Sequence, residues 1–220
     1  LQSYLGKLIA AGFRAAVCEQ AEDPTLAKGL VKREVTRVVT PGTLTDDALL
    51  DPRQCNYLAA VVLPASGEKK SADTVGVAWA ELSTGRFHAA VFPASQLADQ
   101  LARIDPSECL IAEDTDTGGN PFSPSLLLTK RPAWAFAYDS AVTALSKHFE
   151  TASLEGFGFG EADRLAIRAA GAVLDYLSET QKTSLDHMDR LIPYRQGGTL
   201  EIDEATRRSL ELTRTIRTGS

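Results

Sequence analysis

The chain has 220 residues, 23 Lys+Arg against 29 Asp+Glu, and a formal net charge of −6. Such a length holds one or two domains with a core of their own, and 44% hydrophobic with 24% charged residues excludes wholesale disorder. The acidic total excludes a chain that coats nucleic acid along its whole surface, while leaving room for a local basic patch.

Taken in order, residues 2–11 place Leu5, Leu8 and Ile9 at helical spacing, with Gly12 just past the helix end. Phe13 to Cys18 reads as a short strand and Glu19 to Gly29 as a polar loop. Glu34 to Thr40 is a β-branched second strand stopped by the Pro41-Gly42 turn. This is the tail of a small α/β unit, and Gly42→Val is expected to unsettle that unit alone. Residues 43–55 are acidic and polar and read as a linker. Tyr57 to Leu63, Val75 to Leu82 and Arg86 to Phe92 then make three strand-like runs of an antiparallel meander. A helix from Ala94 to Ile104, a strand from Cys109 to Ala112 and a loop from Thr115 to Pro124 follow. The next helix, over 139–149, has Asp139 as its cap. Glu161 to Gln181 is the clearest helix, with Leu165, Ala169, Val173, Tyr176 and Leu177 on one face. Leu191 to Tyr194 and Thr199 to Ile202 look extended, and a last helix over 204–216 starts behind Asp203. Leu1 opens inside a helical pattern and Met188 is the only methionine, so the sequence reads as an internal segment of a longer chain.

Motifs for chemistry are sparse. Cys18, Cys55 and Cys109 are an odd count without a CxxC pair, which excludes a zinc ribbon and a disulfide scaffold. Reduced, buried thiols of a cytoplasmic protein are expected instead. His88, His148 and His187 show no HxxH spacing. Gly156 to Gly160 precedes a helix, but Glu161 stands where GxGxxG needs its last glycine and no Gly-Lys-Ser/Thr occurs anywhere. A turn with packed aromatics is expected there, and no binding of ATP. Glu113, Asp114 and Asp116 form the tightest carboxylate cluster and read as a solvated loop. The rival reading is a Mg²⁺-dependent, RNase H-like hydrolase using Glu81, Glu113 and Asp114. No apolar run approaches the roughly 18–20 residues that span a bilayer.

One segment stands above this background. Between Leu26 and Thr40, Lys28, Lys32, Arg33 and Arg37 face Glu34 alone, a net +3 in an acidic chain. Local positive charge beside Gly29 suits backbone contact with phosphates, and a solvated loop with a charged edge strand is the alternative.

Here the sequence resembles a known family. Tyr4-Leu5-Gly6-Lys7-Leu8, Val17-Cys18-Glu19-Gln20, Asp23-Pro24, Lys28-Gly29 and Val38-Val39-Thr40-Pro41-Gly42-Thr43 are similar to the MutS family of DNA mismatch-repair proteins. So are Asp47-Ala48-Leu49-Leu50, Ser83-Thr84-Gly85-Arg86-Phe87, Gly156-Phe157-Gly158, Thr180-Gln181 and the run from Ile202 to Glu211. The resemblance covers essentially the whole chain. It implies an α/β segment in which 1–44 end a mismatch-recognition domain, 45–55 link, 56–188 form a connector domain of RNase H-like fold (mixed sheet with helices), and 189–220 begin an all-α helical core. It further implies a non-catalytic slice with no cofactor of its own. The base-stacking Phe-x-Glu and the ATPase with its ATP and Mg²⁺ belong elsewhere in such a protein. Duplex DNA, MutL and a second copy in a homodimer are the implied partners, a cytoplasmic location goes with them, and Lys28, Lys32, Arg33 and Arg37 are the candidate DNA contacts. A pure interaction scaffold without DNA contact is the third reading.

Overall fold

In the computed structural model, which describes residues 2–22, 31–45, 54–64, 73–115, 122–195, 197, 206, 209 and 210, the apolar runs of the sequence become one six-stranded sheet. The chain begins with helix α1 (Gln2–Ala10), then a two-stranded antiparallel ribbon of β1 (Ala15–Gln20) and β2 (Arg33–Val39). Leu5, Ile9 and Val39 form a small core of their own, with Ala15 and Val17 against it. A 3-10 turn over Pro41–Thr43 ends this unit.

The main sheet holds β3 (Tyr57–Val62), β4 (Thr74–Glu81), β5 (Arg86–Pro93), β6 (Glu108–Ala112), β7 (Leu128–Arg131) and β8 (Leu191–Pro193), in the order β7-β6-β3-β4-β5-β8. The meander β3-β4-β5 is antiparallel, whereas β6 runs parallel to β3, β7 to β6 and β8 to β5. Parallel neighbours need crossovers; α2 (Leu97–Ile104) lies between β5 and β6, and α3 (Tyr138–His148) and α4 (Arg164–Gln181) lie between β7 and β8. Both faces of the sheet are therefore covered, which is why seven of the eight residues of β4 are buried and the strand reads as a continuous apolar run. Leu58, Ala60, Ala78, Ala80 and Ala89 share one core with α3 and α4, while Ala59, Val61, Val77 and Trp79 share the other with Leu97 and Leu101 of α2. Alanines on the first face let α4 lie close. At Gly76 an added Cβ would stand 2.2 Å from the carbonyl carbon and oxygen of Leu165.

Several expectations shift. The first strand starts at Ala15 rather than Phe13 and takes in Glu19 and Gln20, expected as loop. β7 was not anticipated, because Leu-Thr-Lys-Arg has the polarity of an edge strand. Asp139 lies in the first turn of α3, and the cap position is Ala137. The extended run at 191–194 becomes β8 and carries the sheet to Pro193, beyond residue 188. The extended run at 199–202 and Asp203 lie outside the described residues, as does most of the last helix. Of the three thiols only Cys109 is buried. Cys18 on the thin ribbon and Cys55 before β3 are exposed, contrary to expectation.

Gly156 to Gly160 is occupied by packing. Phe157 tilts against Phe149 at 5.2 Å and Phe159 is buried. Beyond it Asp163, ahead of α4, accepts from the Gly160 N–H at 2.9 Å and from Arg195 at 2.5 and 2.9 Å, while Arg195 also donates to the Gly158 carbonyl at 2.8 Å. The Arg195 hydrogen bond leads in holding the Asp163 carboxyl below its ordinary range, against the opposing effect of burial. A depressed carboxyl pKa stabilises the fold above the unfolded-state value near 3.8, and the gain fades as pH falls through the folded value. Asp163→Asn is thus expected to cost about 1 kcal/mol at neutral pH, Arg195 being half exposed. Urea titrations of both proteins should show that gap closing below pH 3.8 and constant above pH 5.

Candidate functional site between ribbon and sheet

The candidate DNA contacts fall on the ribbon, and its pairing decides which way they face. β1 and β2 are in register from Ala15–Val39 to Val17–Arg37, then Cys18 pairs with Val35 and Thr36 is left over as a bulge, its Oγ1 donating to the Val17 carbonyl at 3.2 Å. Plain alternation puts Arg33 and Arg37 on one face. The bulge undoes this: Arg33 pairs with Gln20 and Arg37 with Val17, and residues three apart along β1 face opposite ways. Arg33 is exposed. Arg37 is half-buried and, with Glu19 and Thr36, lines a cavity of about 390 Å³ shared with Leu82, Gln181 and His187. Lys32 is exposed and paired to Glu34 at 2.7 Å. Lys28 lies outside the described residues. The structure therefore does not gather the described cations into one patch.

What it does gather is a set of groups around a residue the sequence reading passed over. Glu108 opens β6 and is fully buried. Its Oε2 accepts from Thr40 Oγ1 at 2.5 Å and from the Gly42 N–H at 3.1 Å. Its Oε1 accepts from Thr129 Oγ1 at 2.6 Å and from the Tyr176 hydroxyl at 2.8 Å. Four donors fill the acceptor positions of one carboxylate, which is how a buried acid is tolerated. Burial first, then the Glu108 charge, push the Tyr176 phenol well above its ordinary range, so it stays a donor. The shell extends outward. Arg14 donates to Thr129 Oγ1 at 3.1 Å, Thr43 Oγ1 stands 3.1 Å from Thr40 Oγ1, and Arg131 lies over the Tyr176 ring at 5.3 Å while pairing with Asp175 and Glu179. Two donors come from the end of the ribbon and two from β7 and α4, so one carboxylate fastens the ribbon to the sheet.

Gly42 belongs to this junction. An added Cβ would stand 2.9 Å from both Glu108 Cβ and Leu58 Cδ1. The expectation that Gly42→Val unsettles only the N-terminal unit is therefore wrong, because the valine would press on β3 and β6. Gly42→Val should instead lower the melting temperature of the sheet itself, by an overpacking cost of about 1–3 kcal/mol. Faster amide exchange confined to β1 and β2, with β3 and β6 unchanged, would contradict this.

The rival hydrolase site does not assemble. Glu81 pairs with Tyr57 at the start of β3, level with Glu108, and accepts from Thr84 at 2.7 Å. Glu113 and Asp114 follow β6 at its other end, roughly 16 Å away at about 3.3 Å per residue. Among the described residues no group of three His, Cys, Asp or Glu is placed to hold a metal ion. The histidines have other work: His148 donates to the Met188 carbonyl at 2.8 Å, His187 to that of Leu82 at 2.7 Å, and His88 stacks on Trp79. No described helix is long and apolar enough to cross a membrane.

With this geometry in place, comparison with known proteins is specific. A family model described as MutS domain II matches residues 56–189, and one described as MutS domain I matches residues 1–48. A curated relative from Rhodopirellula baltica, the DNA mismatch repair protein MutS, is 54% identical over 233 aligned residues that take in 100% of this chain and 26% of the relative. The chain spans about a quarter of that relative's length.

Proposed function

The chain belongs to the MutS family, and from that premise we propose that it is the part of a mismatch-repair sensor that holds the DNA backbone and passes the state of the DNA-binding unit onward. The matched regions are recognition and connector regions, not catalytic ones. In this reading the ribbon touches phosphates of the duplex through Arg33, and Lys28, Lys32 and Arg37 are the further candidate contacts. The connector transmits to a distant ATPase, which would carry the ATP and Mg²⁺, and offers a surface to MutL. Homodimerisation and a cytoplasmic location are properties of the whole protein in the same reading. The observation that carries it is the Glu108 junction, which fastens the ribbon bearing Arg33 and Arg37 directly to the sheet. An RNase H-like connector is supported by the strand order β7-β6-β3-β4-β5, with an antiparallel meander flanked by parallel strands. That likeness is one of fold only, since Glu81 is remote from Glu113 and Asp114.

Phosphate contacts position a protein but read no sequence. The chain is thus expected to bind matched and mismatched duplexes alike, in the range of about 10⁻⁴ to 10⁻⁶ M typical of non-specific complexes. Because the bulge separates Arg33 from Arg37 and Lys32 is paired, the log–log salt slope should be only about −1 to −2. Fluorescence polarisation with the two duplexes at two salt concentrations tests this, with Arg33→Glu weakening both equally. A preference for the mismatch, or an Arg33→Glu protein of unchanged affinity, would sink the assignment and favour the scaffold reading.

A further inference from the structure

The run 45–55 reads as a spacer, yet residues that flank it are bonded to each other. The Pro41–Thr43 turn is fastened to Glu108 before the run begins. After it, Asn56 donates from Nδ2 to the Pro41 carbonyl at 2.9 Å and accepts at Oδ1 from Ser107 Oγ at 2.6 Å. The residues on either side of the run are thus tied to each other and to the sheet, and the fastening ahead of it is sheltered from water: Thr40, Glu108 and Thr129 are all buried.

We propose that the mechanical link between ribbon and sheet is the Glu108 node, flanked by the Arg14–Thr129 bond, rather than the continuity of the chain. The orientation of β1 and β2 on the sheet is then set by Arg14, Thr40, Glu108 and Thr129 together with the Gly42 N–H, with β2 also lying against α4. A change in the length of the connection is then expected to leave the ribbon in place. This concerns the chain itself and does not depend on DNA being its ligand.

The chain carries its own reporters. Cys18 on the ribbon and Cys55 at the foot of β3 are exposed, while Cys109 is buried and protected from labelling. Nitroxide labels on the two exposed thiols would sit on the order of 20 Å apart, counting about 3.3 Å per residue along β2, within reach of pulsed dipolar spectroscopy. The expected result is one narrow distance peak. A Gly-Ser insertion between Leu49 and Leu50 should leave that peak unchanged. The double substitution Arg14→Ala, Thr40→Val should abolish it while circular dichroism stays that of the folded sheet, because Thr129 and Tyr176 still satisfy half of Glu108. Glu108→Gln should abolish it as well, and if that variant unfolds, the double substitution and the insertion still decide. Broadening by the insertion, or a narrow peak retained in the folded double variant, would overturn the proposal.

Discussion

Replacing Glu108 by alanine is expected to lower the unfolding free energy by about 3–5 kcal/mol, the cost of breaking a buried charged network from one side. Four donors lose their acceptor at once: the hydroxyls of Thr40, Thr129 and Tyr176 and the N–H of Gly42. Each buried, unanswered donor costs about 1–3 kcal/mol before the structure relaxes or water enters. Glu108→Gln keeps the volume but turns one oxygen into an NH₂ group facing two donors, so it should recover only part of the loss. Urea unfolding of the three proteins measures this. A loss below about 1 kcal/mol in Glu108→Ala would mean that the donors find other partners nearby, and would remove the node's claim on stability.

Gly76→Ala is the second large effect expected, and it arises from crowding rather than lost bonds. The methyl group would stand 2.2 Å from the main-chain carbonyl of Leu165, and the first turn of α4 cannot rotate aside as a side chain could. Overpacking of this kind costs about 1–3 kcal/mol and occasionally more. With backbone as the obstacle we expect the upper end, about 3 kcal/mol, or a fall in melting temperature of about 6–12 °C for a chain of this size. An unchanged melting temperature would show that α4 has room to lift from β4.

Much of the sheet was legible because it is covered on both sides. Tyr57–Val62, Thr74–Glu81 and Arg86–Pro93 are apolar almost without interruption, so their strand character survives reading without partners. β7 was not legible, since three of the four residues of Leu128–Arg131 are polar and the run takes its strand geometry from pairing with β6. The node was invisible for a related reason. A glutamate after Asp105-Pro106-Ser107 looks like the solvated mouth of a strand, and its partners lie 68, 66, 21 and 68 residues away, so no spacing rule brings them together. The basic run was legible as charge and misleading as geometry. Counting by twos joins Arg33 to Arg37, and only the pairing of both strands exposes Thr36 as the residue that breaks the count.

The short strand Leu191–Pro193 has a consequence of another kind. Without it β5 is the rim of the sheet, and the main chain of Phe87, His88 and Ala89 lies bare in a strand of high β-propensity. An open rim of this sort is a template on which a second molecule can add its own strand. β8 closes it with three residues, the last a proline that has no N–H to extend the ladder. A protein trimmed at residue 189, where the domain II match ends, would keep every helix of the sheet's two cores and lose this cover. Its shortcoming would be insolubility at high concentration rather than misfolding.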